Sequence, residues 1–334
     1  MLINSRLGVG PMSTEVIEAV FRYSHYHRKQ LMMIASKNQI DYSGGYVNSW
    51  NTKQYCEFLN IMNKKYTYNN VINCRDHCGP GFNGNMSMDD TYKTIESDIE
   101  NNFDLIHIDL CHYQGTNKER LEESRNAIKH CLKLNKEMAI EIGTDENLGS
   151  KYSLNSVEEI ENEVNFFKNF FEPEYFVVQT GSLVKEINQV GSFNKDFIKE
   201  SRKILNDNKI KLKEHNADYL SKSEIRERQD IVDAMNIAPQ LGVVQTSLVL
   251  HKCLIYGVPF NDYANTVHNG KKWEKWMYNN DALNKLLCVQ IAGHYHFSSD
   301  DYKKIIDQLN KYEDISESII ETIMEVIDHY ESSF

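Results

Sequence analysis

Short β-rich runs alternate with longer amphipathic stretches along nearly the whole chain, and this rhythm constrains the fold more than any single motif. Runs dense in β-branched and aromatic residues fall at 31–36, 71–75, 104–110, 137–142, 175–179, 209–215, 232–237 and 289–295. Between them, segments such as 52–63, 118–134, 156–171 and 195–208 carry apolar residues at helical spacing, several with a Ser, Thr or Asn at the start as a cap. Eight strand–helix repeats over 334 residues predict an α/β chain folded as a (β/α)8 TIM barrel. Five prolines and the lack of any linker-like stretch predict one domain over 1–334, with a helical extension at the C-terminal side from about residue 300.

Composition narrows the function classes. The net charge of −11, with neither sign gathered into a long block, argues against nucleic acid as a partner. Seven cysteines without framework spacing predict a reduced, cytoplasmic setting. No apolar run reaches membrane-spanning length, so no membrane partner is expected.

A barrel gathers its functional side chains at the carboxyl ends of the strands. The run at 71–75 leads into Asp76-His77, a base and a metal ligand side by side. In 105–109, His107 and Asp109 share the face opposite two isoleucines; Glu141 alternates with Ile140 and Ile142; Gln179 and His215 end two further runs. Asp76, His77, Asp109, Glu141, Gln179 and His215 are therefore expected at one mouth. Imidazoles, carboxylates and an amide suit a divalent metal, zinc foremost and also manganese, iron or nickel. The bland reading is a set of hydrogen-bonded strand ends, and His107, deeper in its strand, reads as a core network residue.

The motifs Met12-Ser-Thr-Glu, Ala35-Ser-Lys-Asn-Gln-Ile40 with Gly44-Gly-Tyr46, Asp76-His77-x-Gly-Pro80, Ile106-His-Ile-Asp109, Ile142-Gly-Thr144, Val177-Val-Gln179 and His215-Asn-Ala-Asp-Tyr219 occur in one order over residues 12 to 300. In this the chain resembles the accessory subunit of class II tagatose-bisphosphate aldolase. The resemblance implies a relative of zinc-dependent (β/α)8 aldolases, in a family described as non-catalytic partners of the aldolase chain, with related proteins acting as ketose-phosphate C4 epimerases. It makes Asp76 the counterpart of the aldolase acid/base, with Asp109 as a second catalytic candidate. His77 and His215 become counterparts of two zinc ligands, and Gln179 stands where catalytic aldolases have a third histidine, so that zinc affinity is expected to fall unless Glu141 or Asp109 fills the place. Substrate contacts are expected from Ser36, Asn38, Gln39, Arg75, Lys213, Asp218, Asn236, His294 and His296.

Several positions depart from the family pattern. Cys74-Arg75 replaces a glycine pair, Ile34 and Lys213 replace acidic residues, Asn236 replaces a lysine, and Gly293-His-Tyr-His296 stands for Arg-Tyr-Tyr. A substrate other than tagatose bisphosphate is expected, with Arg75 and Lys213 either a relocated anion site or ion pairs with a carboxylate such as Glu214. An inward Lys213 also admits Schiff-base chemistry. The leading expectation is a metal-dependent aldolase or C4 epimerase of a ketose or ketose phosphate. The alternatives are a non-catalytic subunit stabilising a class II aldolase, and a sugar-binding barrel with a vestigial site. The residues 316–330, with isoleucines at helical spacing, leave packing on the barrel or in a homo-oligomer equally open.

Overall fold

The structure, a computed structural model, describes residues 3–144, 156–278 and 284–334. Eight parallel strands close into a barrel: β1 (Leu7–Val9), β2 (Gln30–Ser36), β3 (Asn70–Cys78), β4 (Leu105–Ile108), β5 (Ala139–Gly143), β6 (Tyr175–Val177), β7 (Lys211–Glu214) and β8 (Ala234–Ile237). Each pairs with its sequence neighbour, and β1 closes the ring by pairing Leu7, Gly8 and Val9 with Met235, Asn236 and Ile237 of β8.

The outer layer is α1 (Thr14–His27), α2 (Thr52–Lys65), α3 (Met88–Glu100), α4 (Asn117–Leu134), α5 (Val157–Phe167), α6 (Lys195–Asp207), α7 (Lys222–Arg228) and α8 (Pro239–Tyr256), followed by α9 (Asn261–Gly270), α10 (Lys285–Ala292), α11 (Asp300–Leu309) and α12 (Ile315–Glu331). Local chemistry sets their starts. Asn51, Thr116, Ser156 and Ser221 each accept from a backbone N–H of the first turn, while Gln54, Glu119, Glu159 and Glu224 reach back to the cap residue. A two-residue antiparallel ribbon, Val184–Lys185 with Asn188–Gln189, lies between β6 and α6.

Alternation along the strands divides the core. Met32 and Ile34, Ile72 and Cys74, Leu105, Tyr175 and Ala234 form a buried cluster inside the barrel, while the much larger second cluster fills the space between strands and helices. The barrel's interior is thus plugged with apolar side chains below its mouth, as a close-packed barrel requires.

Two strand assignments differ from the sequence reading. The stretch at 289–295 is not a strand: α10 runs through Ala292 and a 3-10 turn, Gly293–His296, follows. A short apolar run has no period that separates a buried strand from a buried helix. The closing strand is instead β1, three residues built around Gly8, whose added Cβ would stand 2.1 Å from the Asn236 Oδ1. Among the described residues no helix is long and apolar enough to cross a membrane, and all seven cysteines are buried thiols.

Candidate metal centre

The centre of the site is an irregularity in β3. Between Arg75 and Cys78 the chain takes three steps while its partner β4 takes two, from Ile106 to Ile108. The extra residue is a β-bulge, and His77 absorbs it with a left-handed φ of 46°. In a regular strand Asp76 and His77 would face opposite sides; the bulge turns both toward the barrel mouth. Cys78 then returns to the outer layer, and Gly79 passes so close to β4 that a Cβ there would lie 1.6 Å from the Asp109 carbonyl oxygen.

Asp76, His77, His107 and His215 offer four ligand atoms that all lie within 4.8 Å of one another. Each imidazole is oriented by a neighbour. His77 donates from Nδ1 to Asp109 Oδ2 at 2.8 Å, and Asp109 is held in turn by the Thr144 hydroxyl at 3.0 Å and the Cys111 N–H at 3.0 Å. His107 donates from Nε2 to the Gly143 carbonyl at 2.9 Å, and its Nδ1 lies 3.3 Å from Asp76 Oδ1. His215 donates from Nε2 to Glu141 Oε1 at 3.2 Å. Carboxylates and carbonyls set behind imidazoles are the partners that orient metal-binding histidines.

Burial and charge work against each other here. Burial alone would raise the Asp76 carboxyl, but the charges of His77 and His215 and the hydrogen bond to His107 outweigh it and hold Asp76 well below the usual carboxylate range. Burial disfavours a protonated His77; Asp76 and Asp109 overcome it and lift the ring to about 9. Glu141 is brought down to about 2, because Lys213 and the imidazoles of His107 and His215 outweigh its burial. Lys213 reaches Glu141 Oε2 at 2.7 Å and lies over the Tyr175 ring. Burial would favour its neutral form, yet Glu141 shifts it toward the ammonium, which makes it a poor Schiff-base nucleophile.

The predicted site residues separate into groups. Ser36, Asn38, Gln39, Asp76, His77, His215, Asp218, Asn236 and His294 line one cavity at the mouth. Asp109 stands behind His77, and Glu141 lies below the cluster, engaged by Lys213 and His215, rather than among the four convergent ligands. Gln179 is buried two residues past β6 and is not among the cavity's lining residues. Arg75 and Lys213 do not reach the cavity. Arg75 points to the helix layer, where its guanidinium takes both oxygens of Asp98 at 2.7 Å and the carbonyls of Ala35 and Ile40. The expected ion pairs therefore form with Asp98 and Glu141, while Glu214 pairs with Arg228. His294 and His296 do not share the side of a strand: the 3-10 turn sends His294 into the cavity and His296 against Gly270 of α9.

His107 is the ligand candidate that the sequence reading left in the core. The signal lay in its strand phase, since it pairs with Glu141 across β4 and β5 and so faces inward at the same level. What alternation could not supply was the β3 bulge that lowers His77 to meet it.

Three imidazoles and a carboxylate are a donor set that fits zinc and other borderline divalent ions. The sequence matches no family model and no curated protein. Solved structures do share the architecture. A probable tagatose 6 phosphate kinase from Sinorhizobium meliloti superposes with a TM-score of 0.80 at 13% identity, over 99% of this chain and 100% of that one. The YdjI aldolase from Escherichia coli K12 gives 0.52 at 13%, over 93% and 94%. A fructose-bisphosphate aldolase from Campylobacter jejuni gives 0.56 at 15%, over 92% and 90%. At these identities the likeness is one of fold, and the fold is the barrel that aldolases of this kind adopt.

Proposed function

We propose that this chain is a metal-dependent carbon–carbon bond enzyme, an aldolase or C4 epimerase, acting on a ketose. The observation that carries the reading is the convergence of His77, His107 and His215 with Asp76 at the carboxyl ends of three different strands, with Asp109 fixing the first imidazole. His77, His107 and His215 would hold the cation. When bound, it supplies a Lewis acid at the substrate carbonyl.

The chain's own residues do the rest. Asp76, ionised and lining the cavity, accepts the proton of the C4 hydroxyl as the C3–C4 bond breaks. The bonding pair stays with the ketone fragment and C4 becomes an aldehyde. If the aldehyde leaves, the proton passes from Asp76 to C3 of the ketone fragment and cleavage is complete; if the bond re-forms, it returns to the C4 oxygen, with C4 inverted when the aldehyde has turned over in between. Asp109 keeps the His77 Nδ1 proton in place, and Glu141 with Lys213 balances charge beneath the cluster.

Elemental analysis of the purified chain tests the reading. About one divalent cation per chain is expected, retained in Asp76→Asn and lost in the His77→Ala/His215→Ala double variant. Release of an aldehyde from a ketose should follow the metal and disappear in Asp76→Asn. Failure to take up metal on reconstitution, or metal retained by the double variant, overturns the assignment.

A further inference from the structure

In barrels of this kind a phosphate group is commonly held by the loops after the last two strands and by a helix N-terminus, whose free N–H groups point at the anion. Here the corresponding place is already taken. Asp218, in the loop after β7, accepts from the Ala238 N–H at 3.0 Å and the Gln240 N–H at 2.8 Å, the residues that open α8. Pro239 between them has no N–H, and the Leu241 N–H turns back to the Ala238 carbonyl. The chain's own carboxyl group thus uses the donors a phosphate would need. Among the described residues that line the cavity, the single Lys or Arg is Lys275, exposed at the rim against the Trp276 and Tyr295 rings.

The same part of the cavity carries two polar side chains with nothing to bind. Neither Nδ2 nor Oδ1 of Asn236, 3% exposed, has a hydrogen-bond partner among the described residues, and the same holds for both ring nitrogens of His294, 1% exposed. Burial, with the nearby Lys275, pushes His294 down to about 3, so its ring is neutral, with one donor and one acceptor. A buried amide and a buried neutral imidazole each cost free energy when left unpaired, and each is satisfied by a group that both gives and takes a hydrogen bond. A sugar hydroxyl is such a group.

We infer that the part of the cavity formed by Asn236, His294 and the Asp218-capped start of α8 receives an uncharged, hydroxyl-bearing end of the substrate. The compound handled at the metal centre is then a free sugar rather than a sugar phosphate. This rests on the retro-aldol reading for the identity of the substrate's other end, but its own evidence is the orphaned donors and the blocked anion site.

The test is binding of D-fructose and D-tagatose, of their 6-phosphates and of inorganic phosphate to the full zinc-reconstituted chain, followed by saturation-transfer NMR and calorimetry. The free sugars should bind about tenfold or more tighter than their phosphates, and Asn236→Leu or His294→Phe should weaken them by about tenfold or more without lowering the unfolding temperature. Unchanged melting separates lost recognition from lost folding, since neither side chain has a hydrogen bond to lose among the described residues, and Phe keeps an aromatic ring against Tyr46 and Tyr295. Tighter binding of the phosphates, no binding of either free sugar, or sugar affinity unchanged in both variants overturns the inference. Free-sugar binding without bond cleavage leaves it standing and sinks the retro-aldol reading; cleavage of the phosphates alone does the reverse.

Discussion

Asp109 illustrates how one carboxylate's role depends on where its strand stops. β4 ends at Ile108, so Asp109 leaves the inward face and comes to rest behind His77 rather than over the cavity. It should therefore act through His77. Asp109→Ala is expected to weaken metal binding by about 10- to 100-fold, measured by competition with a chromophoric chelator, while Asp76→Ala leaves affinity far less changed. Equal losses in the two variants would argue against Asp109 as the orienting group. Asp218 supplies a pH signature. Burial, partly offset by backbone N–H donors, those of Gln240 and Ala238 foremost, lifts its carboxyl from 3.8 to about 7. Between those values the folded chain keeps a proton that the unfolded chain has released. Stability from this group is thus complete below 3.8 and drains away as pH climbs to 7. Asp218→Asn keeps the oxygen that accepts the N–H bonds but not the titration. Its stability relative to wild type should rise with pH across that window, by at most about 1.4 kcal/mol per pH unit, and level off above it. A pH-independent offset in urea midpoints would show that Asp218 does not titrate there. Most of these side chains were legible as inward phases near strand ends. Arg75 was not, because it lies one step from Asp76 and phase alone sends it outward to Asp98, a partner 23 residues further on.

At the scale of elements, the site depends on the β3 bulge and the turn that follows it. Gly79 has to be a glycine for want of space: an alanine Cβ would have to displace the Asp109 backbone from 1.6 Å. Gly79→Ala should cost about 1–3 kcal/mol in chemical unfolding and weaken metal binding as well, since any shift of Asp109 moves the partner of His77. Stability and metal affinity that both match wild type would mean that the turn adapts freely and does not set the site. This coupling was invisible in the sequence, where a single inserted residue flips every subsequent side chain but leaves no mark on an apolar run. Seven of the eight predicted strands coincide with barrel strands because their β-branched runs are flanked by capped helices. The count of eight nevertheless survived by two compensating errors, β1 and 289–295 both being too short for a period to identify them.

The whole molecule is completed by its last helix. α12 packs its buried face, Ile315, Ile319, Ile320, Ile323, Ile327 and Tyr330, against α1, α7 and α8, the helices on either side of the β1–β8 seam. Arg6, just before β1, donates to the Phe334 carbonyl at 2.9 Å and lies over the Phe334 ring, so the two ends of the described chain are fastened together beside that seam. The sequence left open whether these isoleucines faced the barrel or a neighbour; the same helical spacing serves either, and only the position of α1 decides it. Burying six large apolar side chains contributes roughly 10 kcal/mol before entropy, which is of the size of a domain's entire net stability. Removing residues 311–334 should therefore abolish cooperative folding, even though no deleted residue is among the four convergent side chains of the metal centre. Ile323→Ala, which opens a cavity in the same face, should cost about 2–5 kcal/mol and leave metal stoichiometry intact in the fraction that stays folded. A truncated chain that melts cooperatively near the wild-type temperature and still takes up metal would mean that the barrel closes without α12, and that its buried face is an accessory layer rather than a part of the fold.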